Sequence, residues 1–218
     1  MTPDQQARWS IFMKYVGERV DERKKAARRQ AEIDKYDPSD GCGAYSLHDY
    51  RMTDVLKDRL EKLLDSGLYT ESYLDVSCGR GESLELAKRL GHGPVVGTEA
   101  VPMLCNAPNK VHAVLPTLPF GDKVFGIVSC LDVMEHLIAD DWEASIKELG
   151  RVCKGRLLLS ISNVEDKTGA LLGTELHISR FPYDKIDGWL REWLPDFTVV
   201  WRNALSMDHA EVWECVRE

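Results

Sequence analysis

Three carboxylates, two histidines and a glycine-rich turn stand where this chain can do chemistry. Asp75 lies at the end of a short apolar run, and the turn Ser77-Cys78-Gly79-Arg80-Gly81 follows at once. Glycine at 79 and 81 permits positive φ and a close approach of backbone to a ligand. The next segment, 82–90, reads as a helix, whose N-terminus offers unpaired N–H groups to a negative group. Glu99 ends the following apolar run, 94–98. The nicotinamide fingerprint would need a third glycine at position 84, which is leucine. An acid four residues before the first glycine and another 18 after the second fit a different nucleoside ligand. Asp132 ends a later apolar run, and His136 follows it. An imidazole there can take a proton from a hydroxyl substrate. His177, with Arg180 and Tyr183 nearby as acceptor contacts, competes for that role. Plainer roles exist: Asp75 as a helix cap, Glu99 as a solvated strand end, His136 as a partly buried histidine bonded to backbone.

These residues need elements that bring strand ends together. Apolar spacing of three and four predicts helices over 5–35, with Trp9, Phe12, Val16 and Val20 in a stripe, and over 47–64, with Leu56, Leu60 and Leu63 on one face. Residues 36–43 are a loop by composition. Strands are predicted at 72–76, 94–98, 111–115, 124–131 and 156–162. Helices are predicted at 82–90, 140–153 and 183–194, with a short one near 103–106. Two β-rich runs, 197–203 and 210–216, read as a hairpin-like pair on a sheet edge. The alternation predicts an α/β fold with a mostly parallel sheet and right-handed crossovers. In such a sheet Glu99 falls beside the glycine turn, at the carboxyl ends of the strands, where ligands bind.

Over about residues 70–163 the chain resembles the class I S-adenosylmethionine-dependent methyltransferases. Asp75-Val76-Ser77-Cys78-Gly79-Arg80-Gly81 is similar to their D-x-G-x-G-x-G, and Glu99 to their acid ending strand two. Leu118-Pro119-Phe120-Gly121-Asp122 and Asp132-Val133-Met134-Glu135-His136-Leu137 match two further family elements. The resemblance implies a Rossmann-like, seven-stranded, mostly parallel sheet with an antiparallel last strand and helices on both faces. It implies S-adenosyl-L-methionine as cofactor. Backbone at Ser77, Cys78, Gly79 and Gly81 would run beside the methionine moiety, with Asp75 meeting its amino group. Glu99, with Ala100 next to it, would accept from both ribose hydroxyls. Leu115 and Leu118 would flank adenine, and Leu131 and Asp132 would end beside the methyl group. Arg80 could pair with the cofactor carboxylate, and Tyr45 and Arg51 could close over the cofactor. Three departures stand out. Ser77 replaces the first glycine, Val114 or Leu115 replaces an acid that bonds the adenine amino group, and Gly126 replaces an acid early in strand four.

The 218 residues suit one domain, 47–218, behind a helical extension and loop, 1–46. No apolar run approaches the ~20 residues of a membrane span, and no signal peptide is evident. Six scattered cysteines without a C-x-x-C pair are expected to be reduced, in a cytoplasmic protein. No histidine–carboxylate group shows metal spacing, so no metal is expected. A net charge of −8 argues against broad phosphate neutralisation. Yet residues 1–36 hold nine Lys or Arg against six Asp or Glu, with a cluster from Arg23 to Arg29. That cluster is a solvated helix face or an anion-facing arm. The DNA amino-methylation element Asn/Asp-Pro-Pro-aromatic and a Pro-Cys nucleophile are missing.

The expected function is methyl transfer to oxygen or nitrogen of a small molecule, sugar or lipid head group. One alternative is an RNA, DNA or protein acceptor held by the N-terminal helix; another is a non-catalytic binding module. Deleting residues 1–36 should spare turnover of a small acceptor and cripple that of a macromolecule. The stripe on that helix fits docking in cis or in a homodimer.

Overall fold

The computed structural model describes residues 3–39, 43–47, 52–65, 71–205 and 210–218. Seven strands are present: β1 (Tyr73–Val76), β2 (Val95–Glu99), β3 (Lys110–His112), β4 (Phe125–Leu131), β5 (Cys153–Ser162), β6 (Phe197–Leu205) and β7 (Ala210–Arg217). They form one sheet in the order β3-β2-β1-β4-β5-β7-β6. β7 runs antiparallel to both neighbours, and the remaining pairs are parallel. This is the Rossmann-like sheet that the resemblance implied.

Side chains alternate across a strand, and here each face receives its own core. Tyr73 of β1 and Ile127 of β4 pack with Leu56, Leu60 and Leu63 of α3 (Asp54–Leu64) and Leu84 and Ala87 of α4 (Glu82–Arg89). Leu74 and Val128 face the other way, onto Ile146 and Leu149 of α5 (Trp142–Val152) and Ile186 and Leu190 of α7 (Tyr183–Trp193). Strand order reverses at β1: the chain goes from β1 to β2 and β3 on one side, then crosses to β4 on the other. The carboxyl ends of β1 and β4 therefore diverge, which opens a crevice.

Some predicted elements change. Of the helix predicted over 47–64, α3 takes Asp54–Leu64, Met52 and Thr53 are not helical, and a short α2 (Ala44–Leu47) ends where the predicted span began. Thr53 starts α3, its hydroxyl accepting from Leu56 N–H at 3.3 Å as an N-cap. β3 is shorter than predicted and is followed by a bridge between Val114 and Thr117. Sequence reading missed α6 (Lys167–Leu172), which Asp166 caps and Gly173 ends in a left-handed conformation. α1 (Pro3–Asp34) runs for 32 residues. The side chains of Trp9, Phe12 and Val16 lie outside the described residues, and Val20 is exposed. No described helix is long and apolar enough to cross a membrane. The five described cysteines are free.

Candidate active site at the carboxyl ends of the strands

The chain leaves β1 through three left-handed residues, Ser77, Gly79 and Gly81, at φ 60°, 51° and 93°. Two glycines make this cheap, while Ser77 carries a Cβ into a region that costs roughly 1–2 kcal/mol. The turn is held from β2: Cys78 N–H donates to Thr98 O at 2.8 Å. β2 passes so close that a Cβ on Gly97 would lie 2.5 Å from Cys78 Sγ. A Cβ on Gly79 would lie 3.1 Å from the Tyr45 hydroxyl. Lys110 Nζ donates to Gly79 O at 2.8 Å. The only other described non-glycine residues at positive φ are Lys123 and Asp132. Asp132, at the end of β4, mirrors Ser77 across the crevice.

Glu99 ends β2 and turns inward. It is 3% exposed. Its Oε2 accepts from Gly79 N–H at 2.8 Å, and its Oε1 accepts from Ala100 and Val101 N–H at 2.8 and 3.0 Å. Burial pushes its pKa up against those three amide donors. The carboxylate thus locks the glycine turn to the end of β2, which a solvated strand end could not do. Asp75, 5% exposed, accepts from Ser129 Oγ at 2.6 Å and from Ser83 Oγ. Burial raises its pKa to about 6. Ser83 lies in the first turn of α4, so Asp75 also ties that helix to the sheet. Asp132 Oδ1 accepts from Ser160 Oγ at 2.5 Å.

These groups surround a cavity of about 580 Å³, within the range of small-molecule sites. Asp75, Ser77, Cys78, Gly79, Gly81, Glu99, Ala100, Leu115, Leu131, Asp132 and His136 all line it. Arg80 and Tyr45 do too, with Arg80 donating to Tyr45 O at 3.1 Å. Arg51 lies outside the described residues. Four expected contacts fall elsewhere. Leu118 sits in the core, its N–H donating to Glu148 Oε1 at 2.7 Å. His177 is buried behind the cavity wall, with Nδ1 2.6 Å from Val164 O. Arg180 pairs with Glu175 and Glu165, and Tyr183 packs on Trp213. The segment after α6 is held against that helix, with Thr174 N–H donating to Gly169 O at 3.0 Å, and none of residues 163–182 lines the cavity.

Sequence reading missed the opposite wall. Arg29, Glu32, Ile33 and Tyr36, from the end of α1 and just beyond, line the cavity with Met52, Leu137, Ile138 and Asp141. Arg29 reaches the buried Asp141 carboxylate through two bonds, at 2.5 and 2.7 Å, and Arg28 pairs with Asp140 at 3.6 Å. The signal was present: 29, 33 and 36 share one helical face. Deleting residues 1–36 would therefore remove part of the cavity lining as well as the basic cluster, so that deletion does not separate the two acceptor classes cleanly.

His136 lies on that wall between Tyr36 and Leu176. Its Nδ1 is 3.0 Å from Leu176 O and 2.5 Å from the Tyr36 hydroxyl. With Nδ1 protonated it donates to the carbonyl and Nε2 holds the lone pair; in the other tautomer the Tyr36 hydroxyl donates to His136 Nδ1. Burial, with His177 beside it, pushes its pKa down to about 4. It is neutral at pH 7 and a weak proton acceptor there.

The sequence pattern of a methyltransferase-domain family matches residues 48–204. The chain belongs to that family. No curated relative matches the chain significantly. Among solved structures, magnesium protoporphyrin IX methyltransferase from Synechocystis with bound SAH is 20% identical, covers 87% of this chain and 99% of its own, and superposes with a TM-score of 0.64. A 1,6-didemethyltoxoflavin-N1-methyltransferase from Burkholderia thailandensis is 18% identical over 90% of this chain and 89% of its own, at 0.58. A protein from Pyrococcus horikoshii is 16% identical over 76% and 92%, at 0.60. The fold is that of a class I methyltransferase.

Proposed function

We propose that this chain transfers a methyl group from S-adenosyl-L-methionine to an oxygen or nitrogen of a small molecule. The observation that carries the proposal is the joint placement of the glycine turn and buried Glu99 on one walled cavity at the strand ends. Two structural neighbours crystallised with SAH support the cofactor.

The residues fit the ligand's chemistry. Cavity-lining carboxylates, among them Glu32, Asp75, Glu99, Asp132 and Asp141, outnumber the two lining guanidiniums, Arg29 and Arg80. An acidic, partly dry site favours a sulfonium and an ammonium. Three amide bonds occupy three of the four lone-pair sites of Glu99, so Oε2 keeps one lone pair for a ribose hydroxyl. Asp75 is the nearest match for the ammonium, and the Gly79–Gly81 backbone leaves room for the methionine chain. Leu115 and Val114 offer adenine an apolar edge. When bound, the cofactor supplies a methyl group already activated by its sulfonium. The protein's part is to orient the acceptor, exclude water and hold a proton.

A small acceptor suits the wall that α1 builds. The same wall weakens the polymer alternative, since Arg28 and Arg29 engage Asp140 and Asp141. The test is to incubate the full chain with methyl-labelled cofactor and cell extract, then separate products by size. Label in the small-molecule fraction is expected. Label in RNA, DNA or protein would transfer the assignment to a macromolecular acceptor. Cofactor binding with no transfer to any fraction would favour a binding module.

A further inference from the structure

Behind the cavity wall, the fold assembles a group that no sequence spacing announced. One ligand atom each from Glu135, His136 and His177 lies within 4.8 Å of the others. Glu135 and His136 come from the turn after β4, and His177 from the segment after α6. The two segments are tied by Ser179 N–H donating to Glu135 O at 3.0 Å.

Three further observations give this group a purpose. The first is Glu135 itself, which is 0% exposed. Its Oε1 accepts from Ser162 N–H at 2.8 Å, while its Oε2 has no hydrogen-bond partner among the described residues. A buried carboxylate oxygen without a partner is costly, and a cation would satisfy it. The second is the orientation of both imidazoles. His136 Nδ1 faces Leu176 O at 3.0 Å, and His177 Nδ1 faces Val164 O at 2.6 Å. In the tautomer with Nδ1 protonated, each ring donates to a backbone carbonyl and keeps its Nε2 lone pair, the arrangement that fixes metal-ligating histidines. A cation would select it over the one in which the Tyr36 hydroxyl donates to His136 Nδ1. The third is Asp166. Its Oδ2 lies 3.5 Å from His177 Nε2, while Asp166 Oδ1 caps α6. A lone pair and a carboxylate oxygen facing each other repel, and either a proton on Nε2 or a neighbouring cation relieves this.

We propose that Glu135, His136 and His177 bind a divalent first-row transition cation at the cavity wall. Two imidazoles and a carboxylate suit Zn²⁺, Mn²⁺, Fe²⁺ or Co²⁺. Mg²⁺ and Ca²⁺ prefer oxygen ligands. Of the three ligands, His136 lines the cavity, so the remaining coordination positions are reached past it. They suit a hydroxyl oxygen of the acceptor, whose acidity the ion would raise. This last clause rests on the methyl-transfer proposal; cation binding itself does not.

The test uses the full chain after treatment with a chelator. Co²⁺ is titrated by visible absorption, and Zn²⁺, Mn²⁺ and Mg²⁺ by calorimetry, all without cofactor. One equivalent of Co²⁺ or Zn²⁺ is expected, with Mg²⁺ bound more weakly. His177→Ala and the near-isosteric Glu135→Gln should each weaken binding by more than about 100-fold. S-adenosylhomocysteine affinity and the melting curve, measured on the same samples, show whether each variant is folded. No Co²⁺ or Zn²⁺ binding by the wild type would overturn the site, as would unaltered binding in a folded Glu135→Gln variant or a preference for Mg²⁺. Cation binding in a protein that ignores S-adenosylhomocysteine would leave the site standing and remove the methyl-transfer proposal.

Discussion

Ser77 carries its side chain through a conformation that the neighbouring turn residues meet with glycine. At φ 60° it stores strain in the loop that faces the cavity. Ser77→Gly should therefore stabilise the fold by about 1 kcal/mol, read as a higher urea midpoint with unchanged slope. A fall in stability would mean that the serine hydroxyl holds the turn. Asp75 makes a different statement. Its pKa is raised to about 6 by burial, so the folded state protonates before the unfolded chain does. Well below pH 4 the group is neutral in both states and costs nothing. Between about pH 4 and 6 the unfolded chain ionises this group while the folded protein keeps it protonated, and by about pH 6 that difference costs roughly 3 kcal/mol of stability. The stability of the wild type relative to Asp75→Asn should thus fall as pH rises from 4 to 7. A flat difference would place Asp75 in a wetter setting. An ammonium from the ligand would reverse the penalty, so cofactor binding near pH 6 should release a proton, measurable by calorimetry in buffers of different ionisation enthalpy.

Among the elements, α1 decides whether the cavity is a groove or a closed site. Its anchor is the Arg29–Asp141 pair, and Asp141 is buried. Arg29→Met keeps the apolar stem and removes the bonds. It should cost about 2 kcal/mol, speed hydrogen exchange over residues 29–36 and raise the KM for cofactor. Truncating residues 1–36 should lower turnover with every acceptor, and an acceptor class spared by truncation would show that α1 is a bystander. The helix itself was legible from its periodicity, and its inward face at 29, 33 and 36 was present but passed over, because the apolar stripe drew the reading to Trp9 and Phe12. The sheet was easier to read. Alternating strands and helices, with Gly79, Gly81 and Glu99 at fixed offsets, report local geometry, and local geometry survives into the fold. Leu118, Arg180 and Tyr183 depended on how loops cross space, which no offset encodes. The same holds for Glu135, His136 and His177, brought together by a return of the chain after α6.

At the scale of the whole molecule, one face of the strand ends carries the chemistry and the rest of the domain holds it in place. Two cores, one on each side of the sheet, fix β1 and β4, so the crevice between them keeps its width. The net charge of −8 continues into the cavity, where carboxylates dominate. A cationic ligand is drawn to such a site, while a polyanion is turned away. The central claim is that this cavity holds an adenosyl ligand and that Glu99 meets its sugar. Calorimetric titration of S-adenosylhomocysteine into wild type and Glu99→Gln tests it most directly. The wild type should bind one equivalent, and the variant should bind at least about 10-fold more weakly while still melting cooperatively. Absence of binding by the wild type at millimolar ligand, or equal affinity in a folded variant, would contradict it.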